Sequence, residues 1–247
     1  MTPLLPVCIL AGGLGTRLGQ VVADTPKPLL EVAGAPFLRH QLRLLKAHGA
    51  RRVVLCVGYL GERIEAALGD GADEGLELGY AYDGPDLRGT AGAIRGALDQ
   101  LGDAFLVLYG DTYLRIDYTA VQATFVASGL PALMTVLRNE GRWDVSNVLL
   151  SDDGTRIEAY DKRVPTPAMK WIDYGLGVLS AEALDAAGPD EPDLAGAYHE
   201  LARTGRLAAY EATERFYEIG TPEALAETDA FLRATPARPT PGRAQPG

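Results

Sequence analysis

Short apolar runs and longer amphipathic stretches alternate along the first half of the chain. Val7–Leu10, Val53–Val57, Leu76–Tyr82 and Phe105–Tyr109 are aliphatic or β-branched runs of strand length. Between them, Phe37–His48, Glu62–Leu68 and Ala91–Leu101 repeat apolar residues at three- and four-residue spacing, the period of a helix. In the first of these, Phe37, Leu38, Leu42, Leu44 and Leu45 mark one face, with Gln41 among them. Pro36 stands where a first-turn proline is tolerated, and Gly49 stands where a left-handed C-cap is expected. Alternating strands and helices predict βαβ units, right-handed crossovers and a mostly parallel sheet. Ligands in such sheets bind beyond the carboxyl ends of the strands.

The second half is less regular. Ala132–Leu137, Ser146–Leu150, Arg156–Ala159 and Asp173–Leu179 read as strands, and Ser151-Asp152-Asp153-Gly154 reads as a hairpin turn. Helices are expected at Ala181–Ala187 and Leu194–Thr204, followed by strands at Leu207–Glu211 and Phe216–Ile219. A last helix at Pro222–Leu232 closes one domain over residues 1–233. The stretch 234–247 is rich in Pro and Gly with almost no apolar content, so a disordered tail is expected there.

Composition adds limits. The chain has 247 residues, 47% of them hydrophobic, enough for a sizeable core. The net charge of −10 gives no footprint for nucleic acid or for an anionic membrane. A local basic group can still hold an anionic small molecule against that balance. Cys8 and Cys56 each sit in an apolar run and read as buried strand thiols in a reducing compartment. No apolar run reaches about 18 residues, and the first residues lack the basic start of a signal peptide, so a cytoplasmic protein is expected.

Candidate chemistry begins at the end of the first strand, with Ile9-Leu10-Ala11-Gly12-Gly13-Leu14-Gly15-Thr16-Arg17-Leu18. Glycines let backbone N–H groups approach phosphate oxygens, and Arg17 adds a planar fork suited to phosphate. A dinucleotide fingerprint would need a third glycine at Leu18, and no Walker Gly-Lys-Ser/Thr is present. Thr25-Pro26-Lys27-Pro28 places a lysine between two stiffening prolines, as a point charge for phosphate would require. Gly89-Thr90-Ala91-Gly92 opens a helix with small residues and reads as a free helix N-terminus with room for a base or an anion. Gly110-Asp111 ends an apolar strand with a carboxylate, the kind of ligand Mg²⁺ takes together with substrate phosphates. Each segment taken alone also has a structural reading, as a glycine-rich turn, a proline-rich turn, a packed helix start or an Asx turn.

Taken in order, LAGGLGTRL, PKP, Gly89-Thr90, Gly110-Asp111, Asp161-Lys162-Arg163, Asp173-Tyr174-Gly175 and Glu218-Ile219-Gly220-Thr221-Pro222 resemble the sugar-1-phosphate nucleotidylyltransferases over nearly all of residues 1–233. The resemblance implies a Rossmann-like, three-layer α/β/α fold with a mixed, mostly parallel central sheet. It also implies that a nucleoside monophosphate passes from an NTP to a sugar 1-phosphate, with release of pyrophosphate and a need for Mg²⁺. In that scheme Leu10, Ala11, Gly12, Gly13, Gly15, Thr16, Gly89 and Thr90 bind nucleotide, and Arg17, Lys27 and Lys162 act on the phosphates. Asp173 and Gly175 touch the sugar, and Asp111 and Glu218 hold the metal. NTP and sugar 1-phosphate are then the partners, without nucleic acid or membrane, and a homo-oligomer stays open.

Three departures stand out. Glu-Lys-Pro of the family is Asp161-Lys162-Arg163 here, Asn-Ala-Gly is Asp173-Tyr174-Gly175, and the second metal-binding aspartate is Glu218. The LRGTAGAI and YGDTYLRID segments look most like heptose-1-phosphate guanylyltransferases. MurNAc-, mannose- and glucose-1-phosphate enzymes are the alternatives, and the chain ends too early for an added β-helix acyltransferase domain. A non-catalytic nucleotide- or sugar-phosphate-binding regulator is the alternative of another class, left open by Glu218 and the altered sugar segments. His40, His48 and His199 are scattered over helical stretches and read as surface or packing residues.

Overall fold

The computed structural model describes residues 3–13, 25–84 and 87–235. In chain order these form β1 (Val7–Leu10), β2 (Glu31–Val32), β3 (Ala35–Pro36), α1 (Phe37–Ala47), β4 (Arg52–Val57), α2 (Gly61–Leu68), β5 (Glu77–Tyr82) and α3 (Gly89–Leu101). There follow β6 (Ala104–Tyr109), β7 (Thr112–Leu114), α4 (Tyr118–Ser128), β8 (Ala132–Arg138), β9 (Val148–Leu150), β10 (Ile157–Tyr160) and β11 (Trp171–Ser180). The last elements are α5 (Leu194–Arg203), β12 (Leu207–Ala212), β13 (Phe216–Glu218) and α6 (Pro222–Ala234). Of the stretch expected to be disordered, 236–247 lies outside the described residues.

Strands buried on both faces read as near-continuous apolar runs, and that is what β1, β4 and β6 are. Val7 and Ile9, Val53 and Leu55, and Leu106 and Leu108 enter one core. Cys8, Val54, Phe105 and Val107 enter the other. β1 lies parallel to β4 on one side and to β6 on the other, and β5 extends the parallel run past β4. β11 joins β6 antiparallel, β8 joins β11 antiparallel, and β12 lies parallel to β8. β9 meets β11 at Trp171 and forms the expected hairpin with β10. Leucines of α1 and α2 fill the first core, and α3 and α5 fill the second. The result is the expected three-layer arrangement around a mixed, mostly parallel sheet. Cys8 and Cys56 are buried free thiols with their sulfurs 3.4 Å apart.

Three features depart from the pattern reading. α4 was not expected, because its apolar residues spread around the helix instead of forming a stripe. Its signal lies in its ends, where Asp117 Oδ1 accepts from Thr119 N and Ala120 N and where Gly129 takes φ +63. The helix expected at Ala181–Ala187 is a 3-10 turn over Ala181–Asp185, cut short by Gly188 (φ +101) and Pro189 before a regular α turn forms. β11 is longer than expected and carries a bulge between Asp173 and Gly177, at which its register on β8 shifts. The hydroxyl of Thr135 spans this bulge, donating to Leu176 O at 2.6 Å and accepting from Leu176 N at 3.3 Å.

Next to the bulge, Gly177 leaves room for a buried tyrosine. A Cβ on Gly177 would stand 2.0 Å from the hydroxyl oxygen of Tyr198, which packs in the second core. Gly177→Ala is expected to destabilise the fold by about 1–3 kcal/mol, the usual cost of overpacking. Urea unfolding should show this as a lower midpoint at unchanged slope, and an unchanged midpoint would contradict the packing described.

Candidate active site

Since β1, β4, β5 and β6 run parallel, their carboxyl ends reach one edge of the sheet. A cavity of about 400 Å³ opens there, a size typical of small-molecule sites. Leu10, Ala11, Gly12, Gly13, Lys27, Gly89, Thr90 and Asp111, all expected from sequence, line it together. Gly15, Thr16 and Arg17 lie outside the described residues.

Close backbone approach builds the floor. A Cβ on Gly12 would stand 3.1 Å from Gly58 N, and one on Gly110 would stand 3.1 Å from Leu10 O. The loops after β1, β4 and β6 therefore touch through glycines. Lys27 sits on a 3-10 turn, Lys27–Leu29, framed by Pro26 and Pro28, and Leu29 N donates to Pro26 O. Its ammonium lies 2.5 Å from Asp111 Oδ2. Glu218 on β13 belongs to the same group. A Cβ built on Gly220 would stand 3.0 Å from Glu218 Oε2 and 3.5 Å from Lys27 Nζ. β13 is brought there by pairing with β7 and by Ile219 N donating to Asp111 O at 3.0 Å.

The start of α3 is not free, contrary to the sequence reading. Ala91 N donates to Pro192 O at 2.8 Å, and Gly89 takes φ +74, with its Cβ position only 2.4 Å from that carbonyl oxygen. Thr90 Oγ1 accepts from Leu194 N at 2.7 Å and so supports the start of α5. Gly89 and Thr90 line the cavity while locking two helix starts together. Arg95 secures the same junction by donating to the carbonyls of Leu184, Gly188 and Glu191.

Lys162, Asp173 and Gly175 form a second group beyond Tyr109. Gly175 takes φ +100 in the β11 bulge, and a Cβ there would stand 3.9 Å from the Tyr109 ring. Asp173 Oδ1 accepts from Gly175 N at 3.0 Å, and Asp173 Oδ2 faces Lys162 Nζ at 3.5 Å and the Tyr160 hydroxyl at 3.4 Å. Tyr109 lines the cavity from the other side. Burial first, then the charges of Asp173, Asp111 and Asp193, push its hydroxyl pKa far up, so it stays protonated.

Sequence reading missed Asp83, Asp193 and Gly220 among the cavity residues. Asp83 had a readable signal, since it follows β5 and precedes Gly84, much as Gly110-Asp111 follows β6. The histidines take local roles. His40 Nε2 meets Val32 O, His199 Nδ1 meets Tyr160 O, and His48 packs on the Tyr118 ring.

The family model for the MobA-like NTP transferase domain matches residues 7–209. The chain belongs to this family. Among curated relatives, the transferase is 34% identical to N-acetylmuramate alpha-1-phosphate uridylyltransferase of Neisseria meningitidis serogroup B, over 92% of this chain and 97% of that one. It is 28% identical to mannose-1-phosphate guanylyltransferase of Mycobacterium tuberculosis, over 91% of this chain and 63% of that one. Among solved structures, HddC from Yersinia pseudotuberculosis complexed with GMP-PN superposes with a TM-score of 0.73 at 26% identity, covering 93% of this chain and 100% of that one. The expected kinship with sugar-1-phosphate nucleotidylyltransferases holds for the transferase as a class. No helix among its described residues is long and apolar enough to cross a membrane.

Asp83 provides a test of the site's energetics. It is 7% exposed, and burial raises its carboxyl above the ordinary 3.8, offset in part by the backbone N–H and the charge of Arg88. The folded state therefore holds this proton to higher pH than the unfolded chain does. The stability this group contributes is fully present below the unfolded pKa and is lost as pH climbs through the raised folded one. Asp83→Asn should raise the unfolding midpoint at pH 7, with a gain that shrinks as pH falls toward 4. A gain that grows on acidification would refute the assignment.

Proposed function

We propose that the chain transfers GMP from GTP to a sugar 1-phosphate, heptose 1-phosphate by best fit, and releases pyrophosphate. The guanine assignment is carried by Asp83, a buried carboxylate on the cavity wall with Oδ2 3.5 Å from the Cβ position of Gly12. An ionised carboxylate only accepts hydrogen bonds. Guanine offers two adjacent donors, N1–H and the 2-amino group, whereas uracil offers one N–H between two carbonyls. The HddC structure with GMP-PN and the LRGTAGAI and YGDTYLRID segments support the same choice. A uridylyl reading with N-acetylmuramate 1-phosphate is favoured by the 34% identity to the Neisseria protein and is the second candidate.

The residues present fit a divalent metal, with Mg²⁺ the proposed ion. Asp111 already takes the Lys27 ammonium at 2.5 Å, and Glu218 Oε2 lies beside the same point next to Gly220. Asp111 and Glu218 would hold the ion, which when bound neutralises charge on the phosphates. Gly12 and Gly13 present backbone to the nucleotide, Lys27 holds the phosphates, and Arg17 is assigned the departing pyrophosphate. Lys162 meets the phosphate of the acceptor, and Asp173, held by Gly175 N–H, accepts from a sugar hydroxyl. The acceptor phosphate oxygen attacks the α-phosphorus, a P–O bond forms, and the bond to the β-phosphate oxygen breaks. The attacking oxygen is already anionic, so no side-chain base is required, and catalysis rests on positioning and charge neutralisation.

Asp111→Asn and Lys162→Ala should each keep the far-ultraviolet circular dichroism of the parent and lose activity on the order of 100-fold or more. Pyrophosphate release with Mg²⁺ from crossed panels of NTPs and sugar 1-phosphates, with an EDTA control, reads this directly. Near-parental turnover in both variants overturns the roles. Silence of the folded parent across the panel, with nucleotide still bound, favours the regulator instead.

Base choice separates the two enzyme readings. Asp83→Asn should lower the ratio of kcat/KM for GTP over UTP by about tenfold or more, since a two-donor contact to a base is worth about 1–3 kcal/mol. A parent that prefers UTP, or a ratio unmoved by the substitution, removes Asp83 from base recognition.

A further inference from the structure

Gln41 interrupts the apolar face of α1 between Leu38 and Leu42, and it is 2% exposed. A polar side chain so deeply buried is costly unless it is hydrogen-bonded. Both bonds of its amide go to one place. Nε2 donates to Tyr109 O at 2.8 Å and to Thr112 O at 2.5 Å, the two carbonyls that bracket Gly110-Asp111. Two acceptors on one side fix the amide orientation, and Oε1 is left without a partner. Its bonding capacity is thus directed at the turn and not at its own helix.

We propose that Gln41 is a positioning residue that clamps the Gly110-Asp111 turn and so sets the carboxylate of Asp111 for metal and phosphate. This rests on the metal-dependent reading of the site given above. Other ties hold the turn as well: Gly110 N to Leu10 O at 2.9 Å, Ile219 N to Asp111 O at 3.0 Å, and Thr112 Oγ1 to Tyr109 O at 3.2 Å. The first two act on the middle of the turn, and the third closes its ends from within the turn itself. Gln41 anchors both ends of the turn to the packed body of α1, whose Leu38, Leu42 and Leu45 are fully buried. Small displacements of a charged ligand weaken coordination and in-line geometry steeply, which makes such a clamp consequential.

A matched control exists in the same fold. Gln122 is also buried, accepts from Leu5 N at 2.7 Å and donates to Pro3 O at 3.1 Å, and it lies on α4, with no part in lining the cavity. The test compares Gln41→Leu, the near-isosteric Gln41→Met and Gln122→Leu with the parent. Mn²⁺ binding is followed by electron paramagnetic resonance in the presence of a non-hydrolysable GTP analogue, alongside analogue binding without metal, kcat and urea unfolding. Both Gln41 variants are expected to raise the half-saturating Mn²⁺ concentration and lower kcat tenfold or more, with metal-free analogue binding within twofold of the parent. Gln122→Leu should lose stability and leave Mn²⁺ binding unchanged. Equal Mn²⁺ binding by parent and whichever Gln41 variant folds overturns the clamp alone, as does an equal shift in Gln122→Leu. Failure of both Gln41 variants to fold overturns it too, because Gln41 is then a core requirement. A parent that binds no Mn²⁺ with the analogue overturns the metal reading and the clamp together.

Discussion

Because β1 and β6 lie side by side in the same direction, the glycine-rich loop leaving one and the Gly110-Asp111 turn leaving the other emerge at the same edge. Their contact is so close that Gly110 has space for a hydrogen but not for an unshifted Cβ beside Leu10 O. The rest of the site is arranged around that contact. β4 brings Gly58 against Gly12, the proline-framed turn brings Lys27 onto Asp111, and the β7–β13 pair brings Glu218 beside both. The sheet supplies rigidity and its loops supply chemistry, the usual division in α/β proteins.

Several features at this edge work against stability and are intelligible as parts of a binding site. Asp83 is a carboxylate kept away from water, and Gln41 carries an unpartnered buried oxygen. Gly175 adopts φ +100 in a bulge that breaks the register of β11 on β8. Bulges re-aim side chains next to functional sites, and here the bulge turns Asp173 toward Lys162 and Tyr160. Tyr109 stands between this group and the cavity, so the two groups share one wall.

Asp83 was visible in principle as a carboxylate following a strand, yet its meaning depended on burial, which no local pattern reports. Glu218 stands out in sequence only as a departure from the family's aspartate. Pairing of β13 with β7, across a gap of more than a hundred residues, is what sets it beside Lys27. The start of α3 shows the opposite case. Its small residues looked like an opening for a ligand, and Pro192, remote in sequence, fills part of it.

What the sequence determined by itself was local and periodic. Strands buried on both faces must be apolar throughout, amphipathic helices must repeat near 3.6 residues, and glycine next to proline or a carboxylate must mark turns. These constraints act over a few residues, so β1, β4, β5, β6, α1, α3 and α5 were legible, and so were the motifs at their ends. Tertiary structure decided the remainder, namely which strand ends meet, which helix N–H groups are already occupied, and why one glutamine lies on an apolar face. Those outcomes depend on contacts between residues far apart in the chain, whose burial and hydrogen bonding are set only when the two cores close on the sheet.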